Sequence, residues 1–113
     1  MPKYHLGEVI AERELQVRSA SGSESPVRVR IGRPYQSGDD WQCPYEIEAQ
    51  GSRRAMAIYG VDSIQALALT FKAVNVELEV IAKQARGSLF WLGEPFASLQ
   101  DPTDPKRSNG PRA

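Results

Sequence analysis

The sequence reads as an α+β domain: a four-stranded antiparallel meander with one long helix laid across its apolar face. Three observations carry this. Residues 62–86 repeat apolar side chains at spacings of three and four, the mark of a helix with one apolar face. Upstream, four stretches alternate apolar and polar residues with the period of a strand. Between those stretches lie runs of Gly, Ser, Pro and Asp of the kind that reverse a chain.

In the first strand Val9, Ala11, Leu15 and Val17 alternate with Glu8, Glu12, Glu14 and Gln16. Arg13 falls on the apolar side and Ile10 on the polar side. After a polar loop over 18–26, Val27, Val29 and Ile31 alternate with Arg28 and Arg30. A hairpin of these two strands sets Leu15 opposite Val29 and Glu14 opposite Arg30. A second loop covers 32–40. In the third strand Trp41, Cys43, Tyr45, Ile47 and Ala49 form the apolar face, with Gln42, Glu46 and Glu48 opposite. Pro44 interrupts it, and proline has no N–H for a ladder, so the strand is an edge or is bulged there. Gln50-Gly51 turns the chain into a fourth strand over 53–59, with Met56 opposite Tyr45, Ile58 opposite Cys43 and Arg53 opposite Glu48. The open sheet face then carries columns of alternating sign: Glu12 and Glu14, Arg28 and Arg30, Glu46 and Glu48, Arg53. Such columns are a self-paired, solvated surface.

The helix begins at Asp62 as N-cap, with Gln65 placed for a capping box and Val61 and Ala66 for a hydrophobic staple. Ile64, Leu67, Phe71, Val74, Leu78 and Ile81 line the core face. Lys83 and Arg86 suit the negative helix end, and Gly87 is placed to close it in the left-handed conformation. A second apolar stripe, Leu69, Ala73, Val76 and Val80, lies nearly opposite the first. It is either covered by the C-terminal segment or meets another chain. One alternative ends the helix near Lys72 and makes Val74 to Ile81 a strand, because that stretch also alternates and is valine-rich. The expected core is Val9, Leu15, Val29, Ile31, Trp41, Tyr45, Ile47, Met56 and Ile58 against Ile64, Leu67, Phe71, Val74 and Leu78. Residues 88–92 form a short fifth strand or tuck across the helix. The domain is expected to span 1–92, and 93–113, proline-rich with Phe96 and Leu99 as its main apolar residues, to be a disordered tail.

Chemistry is sparse. Acidic and basic residues number 14 each, for a net charge of +0. The arginines Arg28, Arg30, Arg53 and Arg54, even with Lys106, Arg107 and Arg112, are interleaved with glutamates that repel phosphates, which argues against nucleic acid. The one cysteine, Cys43, rules out an internal disulfide, suits a reducing cytoplasm and falls in the core. No signal-peptide or membrane-spanning stretch is expected. His5, the one histidine, has no partners at nucleophile or metal-ligand spacing. No phosphate-binding, dinucleotide or hydrolase motif occurs. The glutamates sit beside arginines, which holds a carboxyl pKa down and away from general acid work. The expectation is no catalytic residue, no metal and no cofactor.

Trp41-Gln42-Cys43-Pro44-Tyr45-Glu46-Ile47, then Tyr59-Gly60-Val61-Asp62-Ser63-Ile64-Gln65-Ala66-Leu67, with Val29-Arg30-Ile31-Gly32-Arg33-Pro34 upstream, resembles a family of small uncharacterised bacterial proteins. The resemblance covers about residues 9–92. It implies a bacterial, cytosolic, compact domain and carries over no site residues.

Two functions fit. One is a non-enzymatic protein-binding module, an inhibitor or immunity-type partner of a bacterial enzyme or a homodimer, binding through Leu69, Ala73, Val76, Val80, Phe90 and Trp91. The other is a small-ligand or enzymatic domain, with Trp41, Tyr45, Tyr59 and Trp91 around a pocket between sheet and helix and Arg13 or Arg54 as anion anchor.

Overall fold

The computed structural model describes residues 6–102. The strands are β1 (Val9–Arg18), β2 (Glu24–Gly32), β3 (Tyr35–Ser37), β4 (Asp40–Ala49), β5 (Ser52–Gly60), β6 (Ser88–Trp91) and β7 (Glu94–Pro95), with one helix, α1 (Ser63–Gln84), between β5 and β6. All pairings are antiparallel. Across the sheet the order is β5-β4-β2-β1-β6-β7, and β3 lies beside the start of β4. The α+β architecture and the β1-β2-β4-β5 meander match the expectation. The strand count is larger: there are seven segments instead of four, of which β6 is the short fifth strand offered for residues 88–92.

The extra strands have physical causes. β3 resumes pairing with β4 after the chain breaks step at Arg33-Pro34. The β2 ladder on β4 stops at Ile31–Tyr45 and the β3 ladder starts at Tyr35–Gln42. Cys43 and Pro44 therefore have no ladder partner on that side, and the N–H that proline lacks is not needed there. The Cys43 thiol donates to the Gly32 carbonyl at this gap, 3.6 Å away. On the far side, residues 88–90 pair with the loop end of β1, Val17 opposite Leu89.

The β1–β2 register corrects the expectation by two residues: Leu15 faces Val27 and Glu14 faces Arg28. β2 starts earlier than expected, at Glu24, leaving a shorter hairpin loop. A two-residue slip keeps every side chain on its face, so the charged columns survive. Arg30 reaches Glu12 at 2.8 Å and Glu46 at 2.7 Å, and Arg28 reaches Glu14 at 2.8 Å. The β4–β5 register is as expected, with Tyr45 on Met56, Cys43 on Ile58 and Glu48 on Arg53.

α1 is helical throughout 63–84, so the strand alternative for Val74 to Ile81 falls. Asp62 caps it by accepting from the Gln65 N–H at 2.7 Å, and the Gln65 side chain accepts from the Val61 N–H at 2.8 Å. The expected staple does not close, because Val61 is 70% exposed. The core comprises Leu15, Val17, Val27, Val29, Ile31, Cys43, Tyr45 and Ile47 against Ala66, Val74 and Leu78, with Met56, Ile58, Leu67, Phe71 and Trp41 packed around it. Two expected core residues lie outside it: Val9, beyond the last regular β1–β2 pairs, and Ile64. β5 and α1 meet so closely at Gly60 that a Cβ there would stand 2.4 Å from the Ala66 nitrogen. That contact turns Ala66 toward the sheet, and Ile64, two residues earlier, points about 200° away. The sequence places a tail from Gly93 onward; within it the described residues 93–102 carry β7, and Phe96 and Leu99 pack against the core. Residues 103–113, with Lys106, Arg107 and Arg112, lie outside the described residues, as does His5.

Candidate functional site

The site grows out of the β4–β5 hairpin and the helix that returns over it. Gln50 and Gly51 both take positive φ, 52° and 77°, the turn that joins β4 to β5. Gly60 and the Asp62 cap then send α1 back across β4 and β5. Its buried line is Ala66, Thr70, Val74 and Leu78, four residues apart. Thr70 is satisfied by donating to the Ala66 carbonyl at 2.7 Å.

Where α1 crosses the hairpin, three polar side chains lock together. The Tyr45 hydroxyl donates to Glu77 Oε2, and Arg54 Nε lies 3.1 Å from Glu77 Oε1. Burial, and then the Glu77 carboxylate that accepts its hydrogen bond, push the Tyr45 phenol well above its usual range. Tyr45 therefore stays protonated, as a hydrogen-bond donor to Glu77. Beside this lock opens a cleft of about 350 Å³, lined among others by Ile47, Arg54, Val76, Glu77, Val80 and Ile81.

The cleft takes in the C-terminal half of the expected second stripe, Val76 and Val80. Leu69, Val76 and Val80 are 39%, 59% and 46% exposed, and Ala73 is half-buried between them. They occupy the flank of α1 on the β5 side. The C-terminal segment covers the other flank: the Leu99 N–H donates to Asn75 Oδ1 at 3.0 Å, and Asn75 Nδ2 donates to Gln100. Asn75 lies about 120° round the helix from the stripe.

Phe90 and Trp91 do not join that surface. They sit on β6, separated from β5 by β4, β2 and β1, roughly 19 Å at strand spacing. Each ring is covered by an arginine: Arg13 lies 3.7 Å from the Trp91 ring centre and Arg18 4.1 Å from that of Phe90. Sequence reasoning missed both stacks because β1 and β6 are joined only by long-range pairing. Arg13 Nη1 is buried without an acceptor among the described residues; burial lowers this guanidinium's pKa, opposed by Asp101.

The aromatic pocket does not assemble either. Tyr45 is buried under α1, Trp41 is half-buried, Tyr59 is exposed on the opposite sheet face and Trp91, on β6, lies three strands from β4 and four from β5. Of the two expected anion anchors, Arg54 reaches the cleft but is paired with Glu77. The open-face arginines Arg28, Arg30 and Arg53 are all within 4.0 Å of glutamates. Among the described residues no group of His, Cys, Asp and Glu converges as metal ligands, and no helix is long and apolar enough to cross a membrane.

The family model described as "Domain of unknown function (DUF6968)" matches residues 11–102, and the chain belongs to that family. The matched span takes in β6, β7, Phe96 and Leu99. No curated protein and no solved structure matches.

Proposed function

We propose that this member of the DUF6968 family is a non-enzymatic protein-binding module. It binds through the α1 flank formed by Leu69, Ala73, Val76 and Val80. The observation that carries this is the exposure of Val76 and Val80, 59% and 46%, beside an apolar-rimmed cleft, while the C-terminal segment takes the other flank. An apolar stripe left uncovered on a small domain marks an interaction surface. The single buried thiol, and the resemblance to bacterial proteins, support a bacterial cytoplasmic setting. There the module acts as a homodimer or as an inhibitor or immunity-type partner. Phe90 and Trp91 are left out of the surface.

A photo-reactive side chain in place of Val80, in cells of the source organism, is expected to give a protein adduct that the same group at exposed Glu79 does not give. No adduct at position 80 would overturn the reading.

The cleft supports a second reading, a small-ligand site. Its volume of about 350 Å³ lies within the range of ligand pockets, and Arg54 stands at its wall. Thermal shift against small carboxylates and phosphates tests it; an unmoved melting temperature throughout would count against a ligand.

A further inference from the structure

We propose that the occupant of this flank is a second copy of the chain, joined by antiparallel pairing of β5 with β5 about a two-fold axis at Met56. The inference rests on the α1 flank being a protein-binding surface.

β5 is nine residues long, contains no proline and pairs only with β4; its outer edge has no strand partner among the described residues. A strand edge of this length invites another strand. The helix stripe beside it has the symmetry that a two-fold needs. Leu69, Ala73, Val76 and Val80 are spaced four, three and four residues apart, a pattern unchanged when read backwards. An antiparallel copy therefore sets Leu69 against Val80 and Ala73 against Val76, with the small alanines letting the helices close near the axis.

Strand and helix place that axis at the same level. Gly60 touches Ala66, and the two elements run back from there together, as the Arg54–Glu77 pair further along confirms. Met56 lies about 13 Å along β5 from Gly60 at strand rise. The midpoint of the stripe, between Ala73 and Val76, lies about 13 Å along α1 from Ala66 at helical rise. One axis serves both layers.

Charge selects this register. About Met56, Arg53 faces Tyr59 of the second copy and Arg54 faces Ile58, so no arginine meets an arginine. Arg53 and Tyr59 share the open sheet face, where Tyr59 is 54% exposed and free to take a cation on its ring. An axis at Arg54 would set that residue against itself, which is unfavourable. The area also suffices. A strip of about 30 Å of strand by roughly 20 Å of stacked strand and helix is about 600 Å² per copy, or about 1,200 Å² in all, the lower bound for a specific interface.

The test uses light scattering of the full chain from micromolar to near-millimolar concentration, with Val76→Glu, Met56→Cys and Ser88→Cys beside it. Wild type is expected at twice the chain mass, and Val76→Glu to weaken the dimer at least about tenfold, because a charge is left in a closing interface. On mild oxidation Met56→Cys, which meets its own copy at the axis, is expected to form a disulfide-linked dimer. Ser88→Cys, on β6, is expected to dimerise like wild type but to form no disulfide link under the same treatment; Cys43, 0% exposed, does not compete. A wild-type monomer at every concentration overturns the second copy, while a position-80 photo-adduct of another mass would leave the protein-binding reading standing. A dimer that survives Val76→Glu and cross-links at 88 but not at 56 overturns the β5 pairing and the use of this flank between copies.

Discussion

Gly87 has no left-handed backbone to accommodate, yet a Cβ there would stand 1.8 Å from the Arg18 carbonyl oxygen. It is glycine because the chain leaving α1 passes against the end of β1. Substituting Gly87→Ala must push backbone from backbone, and a loss of roughly 2–4 kcal/mol in a urea melt is expected. The left-handed residue is Arg86, φ 52°, whose N–H bonds Lys83 O while the Gly87 N–H bonds Ala82 O. Arg86→Gly removes the left-handed cost and is expected to stabilise by ~0.5–1 kcal/mol in the same melt. The sequence pointed to a helix end at this place and to the wrong residue for it, since composition cannot separate a glycine needed for φ from one needed for space. Tyr45 gives the pH prediction. Its pKa is raised by burial and by Glu77 in the folded state, from an ordinary value of 10.0. Stability from this group is thus fully present below pH 10 and lost as pH climbs toward the raised value. Absorbance titration is expected to show one phenol that ionises only as the fold is lost. Tyr45→Phe should flatten the alkaline loss and cost ~1–2 kcal/mol at neutral pH through the vacated Glu77 acceptor.

At the scale of the element, α1 shows what periodicity can and cannot tell. Its existence, its cap and its length were legible, because Asp62, Gln65 and a long apolar repeat all agree. Its azimuth was legible only in part: Leu67, Phe71, Val74, Leu78 and Ile81 do pack on the core, and Ile64 does not. Apolar residues spread over two stripes, and the line that is buried deepest contains Ala66 and Thr70, which no hydrophobic count selects. The difference has consequences at two positions. Ile64, 77% exposed, should accept Lys with a change within ~0.5 kcal/mol. Ala66, 0% exposed against Gly60, should not accept Leu, which is expected to cost ~2–3 kcal/mol by overpacking. Thermal melts of the two variants decide which face is the core. In the sheet, alternation placed faces correctly and the β4–β5 register correctly, because the two-residue turn fixes it. The β1–β2 register slipped because a polar loop leaves the pairing start undetermined. The candidate surface was half legible: Leu69, Val76 and Val80 stood out as apolar residues in excess of one core face, whereas Phe90 and Trp91 belong elsewhere for reasons of topology that local pattern does not contain.

For the whole molecule, the question is where the folded unit ends. Proline content and low hydropathy after Gly93 read as a tail, but the two apolar residues in that stretch are anchors. Phe96 packs on the core and its N–H donates to the Leu89 carbonyl at 3.0 Å. Leu99 packs on the core while its N–H is held by Asn75. Together they tie the segment after β7 across the flank of α1 that faces away from β5. A chain ending at Leu92 would uncover that flank and strip β6 of its partner β7. Each half-buried anchor contributes on the order of 1 kcal/mol of apolar burial, and the bonds to Asn75 and Leu89 add a similar amount. Ending the chain at Leu92 is therefore expected to lower stability by ~3 kcal/mol, a large part of what a domain of this size holds. Asn75→Ala in the full chain, which removes the polar tie and leaves Phe96 and Leu99 in place, is expected to cost only ~1 kcal/mol. Urea melts of both, with the association state measured beside them, separate two roles of the helix. If the C-terminal segment is structural and the β5-side flank is for binding, the shortened chain loses stability but associates as before at temperatures where it is folded. A shortened chain as stable as the full one would mean that the flank near Asn75 needs no cover, and exposure would then lose its force as the argument for the other flank.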